Sequence, residues 1–287
     1  MGAIFRHELR NYFHSLTAYV FGAFLLAVIG IGAMFYNLEA AVSNFEFVLS
    51  FASIIFVVIV PILTMRTLAE ERRQRTDQLL YSLPITTTQV VLGKYLALLV
   101  VYLIPLAVIS LYPLLFSQFG DVYLPTSYGS LFAFFLMGAA LLAVGMFLSS
   151  LTDNQGFAAG IGIAAILLNY YSVSLAEYTS STAMGSLIAL YVIALLLGVV
   201  IHNLTRNENL AYGVTLVLIA ALSVAYFVNS SAFEGLLPDI MTKLSLFRQF
   251  NSFVNGAFDL TAIVYYVSVM GFFLFLSVQS MEKRRYN

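Results

Sequence analysis

Four groups of residues have the types and spacing from which chemistry could be built. His7-Glu8-Leu9-Arg10-Asn11 opens as a zinc-protease HExxH does, where two histidines one helical turn apart hold the metal and the glutamate acts as base. Asn11 stands where the second ligand must be, so this run cannot form that site. Gly93-Lys94-Tyr95 has the Gly-Lys pair of a phosphate loop. Thr88 replaces that loop's first glycine and Tyr95 its magnesium-binding Ser/Thr, so no nucleotide is bound by that route. The carboxylates Glu39, Glu46, Asp121 and Glu177 could serve acid–base work only if gathered at one depth, yet they fall in separate connecting segments. The fourth group is the dense run Glu70-Glu71-Arg72-Arg73-Gln74-Arg75-Thr76-Asp77, whose mixed charges suit recognition of a partner better than catalysis. The three histidines, His7, His14 and His202, sit at the rims of apolar runs and read as interfacial. There is no cysteine, which excludes disulfides and thiolate metal sites.

The elements that must carry these residues are membrane spans. Of 287 residues, 61% are hydrophobic and 9% charged, with a mean hydropathy of +0.93. A soluble domain carries about 25% charged residues, and a chain this poor in charge needs lipid to cover its surface. The net charge of −1 gives no reason to expect nucleic acid as a partner. A crossing helix needs ~20 apolar residues, and only helices satisfy their own backbone in lipid. Apolar runs at 17–37, 48–68, 90–116, 128–150, 156–175, 183–201, 211–229 and 261–281 predict an all-α, polytopic transmembrane helical bundle of about eight spans in a single domain, 1–287. Pro61, Pro105 and Pro113 lie inside these runs and are expected to kink them. With the N-terminus in the cytoplasm, eleven of the thirteen Lys and Arg fall on the inner side, leaving only Lys243 and Arg248 outside, while the acids divide evenly. Topology follows Lys and Arg, so both termini are expected in the cytoplasm of a multi-pass inner-membrane protein of bacterial type. No cleavable signal is expected, because the first apolar run is too long and lacks a small-residue cleavage site.

The centres of the eight runs contain no ionisable residue, which argues against a pump or antiporter driven from within its own spans. Asn169, Tyr170, Tyr171, Ser172 and Ser174 form the most polar patch at membrane depth; Asn169, Tyr170 and Ser172 could line a pathway or mark the outer end of the fifth run. Residues 1–16 place Ile4/Phe5, Leu9, Tyr12/Phe13 and Leu16 on one helical stripe, with Arg6, Arg10 and His14 off it, the pattern of an interfacial elbow helix. The segment 69–89 starts as a charged helix, gains an apolar edge at Leu79, Leu80, Leu83 and Ile85, and is stopped by Pro84. It reads either as a solvated loop anchored by its charges or as a docking knob for a cytoplasmic partner.

The run from Glu70 to Pro84, followed by Val91-Leu92-Gly93-Lys94-Tyr95, resembles the coupling segment of ABC type-2 permeases. That family shows a Glu/Arg-rich start, a Thr, an acidic or amide residue, a Leu pair, "SLP", and then "GK" with an aromatic. Phe5-Arg6-His7-Glu8-Leu9-Arg10-Asn11-Tyr12-Phe13 resembles its elbow helix, and Phe253 to Leu260 before the last span and the basic tail Met281 to Tyr286 after it also resemble the family. Together these are similar to permeases grouped with gliding-motility-associated transport systems. The resemblance implies that Glu70, Glu71, Arg72, Arg73, Arg75, Thr76, Asp77, Leu79, Leu80 and Pro84 form a coupling helix seated in a cleft of a separate ABC ATPase subunit. It further implies a dimer with a second copy or a paralogous permease, contact with membrane lipid, and no catalytic residues or cofactor in this chain, ATP and magnesium being held by the ATPase. Export is the direction that the resemblance favours.

Eight runs exceed the six spans usual in that family. Leu151-Thr152-Asp153-Asn154, leading through Gln155 into the fifth run, matches Leu204-Thr205-Arg206-Asn207 at an offset of 53. An inserted helix pair, 183–201 and 211–229, would explain the second loop, and Thr or Asn in each could cap the helix that follows. Residues 229–260 form the longest external segment, with apolar residues at helical spacing from Phe233 to Phe253. They predict one or two short helices, acting either as a re-entrant gate or as an interfacial cap. Two rival functions stay open: an ion-coupled secondary transporter or channel, and a non-transporting membrane anchor for an ATPase.

Overall fold

A computed structural model describes residues 1–74, 85–205 and 208–285. The fold is all-α, as the apolar runs predict, with α1 (Gly2–His14), α2 (Thr17–Ala33, continued by a π-helical turn Met34–Glu39), α3 (Glu46–Ser53) and α4 (Phe56–Thr64). Next come α5 (Ala69–Gln74), α6 (Thr87–Ile109), α7 (Leu111–Phe116), α8 (Leu124–Ser149) and α9 (Gln155–Tyr178). The chain ends with α10 (Ala183–Thr205), α11 (Glu208–Val228), α12 (Leu236–Lys243), α13 (Leu246–Val254) and α14 (Leu260–Arg285). Among the described residues six helices are long and apolar enough to cross a membrane, and the bent pair α3–α4 would make a seventh. The run at 183–201 lies in α10, where Ala183–Val199 is a shorter apolar helix. The protein is an integral membrane protein.

Local sequence accounts for the helix ends. Thr86 caps α6, its hydroxyl accepting from the Gln89 amide at 3.3 Å. Pro125 stands in the first turn of α8, where its missing N–H costs nothing. Asn154 Oδ1 accepts from the amides of Gly156 and Phe157 at 2.9 and 3.2 Å, satisfying donors that the first turn of α9 leaves open. The corresponding Arg206 and Asn207 lie outside the described residues.

The second apolar run is not one helix. It bends by 60° between α3 and α4, at Ile54–Ile55. Pro61 sits inside α4, well past the bend, so the proline is not the breaking point that the sequence suggests. Tightened bonds from the amides of Val57 and Val58 to the carbonyls of Ile54 and Ile55 keep the backbone paired through the corner.

Two compact units divide the chain: residues 1–170 with 249–287, and residues 171–248. In the first, α8 is the central element, packed by α14, α4, α3 and α6. Its Ala, Leu and Met residues from Ala133 to Met146 are almost fully buried. The phenols of Tyr102 and Tyr95 on α6 donate to the Phe134 and Ala139 carbonyls of α8, at 2.8 and 2.9 Å. Gly138 permits that approach, since a Cβ there would stand 2.5 Å from the Tyr102 ring. In the second unit, α10 and α11 form a hairpin joined by a 2.6 Å hydrogen bond between the Tyr191 and Ser223 hydroxyls. A 3-10 turn (Ser230–Phe233) and α12 close one end of it, with the Gly235 amide donating to the Ser181 carbonyl at 2.8 Å. Within residues 229–260 the chain forms the short helices α12 and α13.

Candidate functional site

One cluster of charged and polar residues of the first unit lies at the end that carries both chain termini. There α4 turns through Met65–Leu68 into α5, the described beginning of the charged segment. Three separate contacts fix this beginning. At its base, the Ser149 hydroxyl, from the last turn of α8, accepts from the amides of Leu68 and Ala69 at 3.3 and 3.2 Å and donates to the Met65 carbonyl at 3.1 Å. One hydroxyl therefore caps α5 from another helix, which no local spacing encodes.

On one flank, Lys94 Nζ lies 2.7 Å from Glu71 of α5 and 2.7 Å from Glu8 of α1. Lys94 is 2% exposed, and its two partners are 13% and 21% exposed, so the triad is largely withdrawn from water. A cation so buried is tolerable because both neighbours are anionic and hydrogen-bonded to it. Helix α1 can come this close because Gly93 precedes the lysine; a Cβ there would stand 3.1 Å from the Ile4 side chain. On the other flank, Arg72 is buried and donates through Nη2 to the Ser280 hydroxyl of α14 at 3.3 Å, and Ser280 in turn donates to the Ser150 carbonyl at 3.1 Å. Nearby, the Thr87 hydroxyl at the start of α6 donates to Glu282 at 2.7 Å.

Between α1 and α5 lies a cleft of about 830 Å³, into which Glu8, Glu70, Glu71, Lys94, Arg66 and Tyr12 all face. Burial, and then the carboxylates of Glu8, Glu70 and Glu71, push the Tyr12 phenol well above its usual value, with Arg66 opposing them. Along α1, Ile4, Phe5, Leu9 and Phe13 are half-buried and Tyr12 is buried, whereas Leu16 is 79% exposed.

Of the residues that the sequence singled out, Glu70, Glu71 and Arg72 join this assembly, and Arg73 is exposed beside it. Arg75, Thr76, Asp77, Leu79, Leu80 and Pro84 lie outside the described residues. Thr152, Asp153 and Asn154 form the short turn before Gln155 and α9, where the Thr152 hydroxyl accepts from the Asn154 amide at 3.2 Å. Thr205 ends α10. Asn169, Tyr170 and Ser172 are half-buried along α9.

Two participants escaped the sequence reading. Lys94 stood there as part of a resemblance, but its depth, two turns inside an otherwise apolar helix, was a signal in plain view. Glu46, read as a loop residue, is 1% exposed in the first turn of α3 and accepts from the Ser127 hydroxyl of α8 at 3.0 Å. Its neighbours Phe45, Val48 and Leu49 form an apolar helical face that carries it inward.

No curated protein shows significant similarity to the chain. The family described as "ABC-2 family transporter protein" matches residues 35–182, just over half of the sequence, and the match includes α5, the whole segment 69–89, Lys94 and Ser149. The chain is thus a membrane transport component, and it belongs to the ABC-2 transporter family.

Proposed function

We propose that the chain is the non-catalytic permease subunit of an ABC transporter, driven by a separate ATPase that holds the ATP and magnesium. The segment 69–89 is its coupling helix, and the end carrying the termini faces the cytoplasm. One observation carries this reading: the start of that segment is tied to α1, α6, α8 and α14 at once, through Glu71, Arg72 and the amides of Leu68 and Ala69. A docking helix held so firmly would pass a push from an ATPase into several spans together, whereas a loosely tethered loop would absorb it. The working unit is a dimer with a second copy or a paralogous permease, exporting its substrate past Asn169, Tyr170 and Ser172, with the external helices as its gate. The resemblance of its coupling segment to that of permeases in gliding-motility-associated systems supports a role in a system of that kind.

The test is co-purification of the tagged chain from native membranes, with ATP hydrolysis assayed in lipid. Arg72 is buried against α14 and is left intact; the variant is Arg73→Glu with Leu80→Glu. An ATPase that accompanies the wild type and is lost from the variant supports the reading. Wild-type chain that never brings down an ATPase overturns it. Stimulation of hydrolysis by a transported compound separates a permease from a mere anchor.

A further inference from the structure

The cleft between α1 and α5 has a wall chemistry that coupling does not use. It lies at the level where the first span begins, since Ser15 and Thr17 line it alongside Arg66, which follows α4. Its volume of about 830 Å³ falls in the range of small-molecule sites, ~300–1,000 Å³. Both signs of charge are present, and carboxylates outnumber cations: Glu8, Glu70 and Glu71 against Lys94 and Arg66. Lys94 is already engaged by two of the acids. Arg66 is exposed and makes no hydrogen bond or salt bridge among the described residues. Ala3 and Ile4 add apolar wall.

We propose that this cleft binds the headgroup of a phospholipid carrying a primary amine, the phosphate seated at Arg66 and the ammonium at Glu70 and Glu8. A guanidinium matches phosphate geometry and is the side chain of choice for it. A purely anionic headgroup would satisfy Arg66 but meet the one surplus carboxylate. A lone cation would leave Arg66 unanswered. A zwitterion answers both, and a primary ammonium brings three N–H donors, which a quaternary amine lacks. The apolar wall receives the first carbons below the glycerol. The inference stands apart from the transport reading, because it concerns the chain alone.

The experiment measures lipid retention by native mass spectrometry, together with the thermal unfolding midpoint, on the purified full chain in detergent. Dioleoyl phosphatidylethanolamine, its mono- and dimethylated forms, phosphatidylcholine and phosphatidylglycerol are titrated in turn. Retention should fall stepwise along the methylation series in the wild type, ending roughly tenfold weaker at the quaternary amine, the loss expected for charge-assisted hydrogen bonds. Phosphatidylglycerol should bind more weakly than the ethanolamine lipid. Arg66→Gln should weaken all of the lipids, and Glu70→Gln should reduce the ethanolamine lipid to the level of the choline lipid. Equal retention of every lipid, a preference for phosphatidylglycerol, or an undiminished effect in Arg66→Gln would each overturn the proposal. The methylation series needs no variant, so a misfolded mutant does not spare the idea. Full stabilisation by soluble glycerophosphoethanolamine would refute the lipid source. Loss of the ethanolamine effect when the ATPase partner is added would assign the cleft to that partner instead.

Discussion

Replacing Lys94 by Met tests whether the buried triad holds the clamped end together. The methionine keeps most of the volume and removes the charge. Glu8 and Glu71 each have an oxygen 2.7 Å from Nζ, so those oxygens are at most about 5.4 Å apart. With the cation gone and both acids ionised, their repulsion at an effective dielectric of ~20 is about 3 kcal/mol or more. Removing one member of a buried pair costs a comparable ~3–5 kcal/mol. For a unit of this size that corresponds to a drop in the unfolding midpoint of roughly 6–20 °C. The assay is thermal unfolding in lipid nanodiscs of the wild type, Lys94→Met, and Lys94→Met combined with Glu71→Gln. Neutralising Glu71 removes the repulsion, so the double variant should recover most of the loss despite carrying one more substitution. A single variant as stable as the wild type, or a double variant no better than the single, would refute the electrostatic account.

Ser149→Ala deletes the cap that α8 lends to α5, and amide hydrogen exchange at Leu68 and Ala69 should quicken, with a stability loss of about 1–3 kcal/mol. Gly138→Ala sets a methyl against the Tyr102 ring and should destabilise the first unit by ~1–3 kcal/mol, read as a lower unfolding midpoint. The Tyr12 phenol is held above its unfolded value, so the stability it provides is fully present below about pH 10 and lost as the pH rises further. Tyr12→Phe should therefore flatten the alkaline arm of the stability profile, measured by unfolding between pH 9 and pH 11.

The spans were legible because length and apolarity are properties of consecutive residues. The bend between α3 and α4 was not, because Ile54 and Ile55 carry no breaking residue and the corner is set by packing against α8. The charged start of the segment 69–89 was readable as a recognition element, yet its rigidity rests on Ser149, Lys94 and Ser280, which are remote in sequence. Glu46 shows the same limit: a single acid beside an apolar run looks like a loop residue until Ser127, 81 positions away, meets it.

The Lys94 triad also bears on how the chain is made. Both carboxylates precede the lysine, at positions 8 and 71, so they have left the ribosome before it does. Lys94 lies two turns inside α6, at the level of the cleft, where burying it without a counter-charge would cost ~3–5 kcal/mol. Its counter-charges are already made when α6 is, so the lysine need not be buried unpaired while that helix packs. Chain order thus lets the triad close as soon as its lysine is made, and a permuted chain that delivers Lys94 before Glu8 and Glu71 should fold its first unit less efficiently.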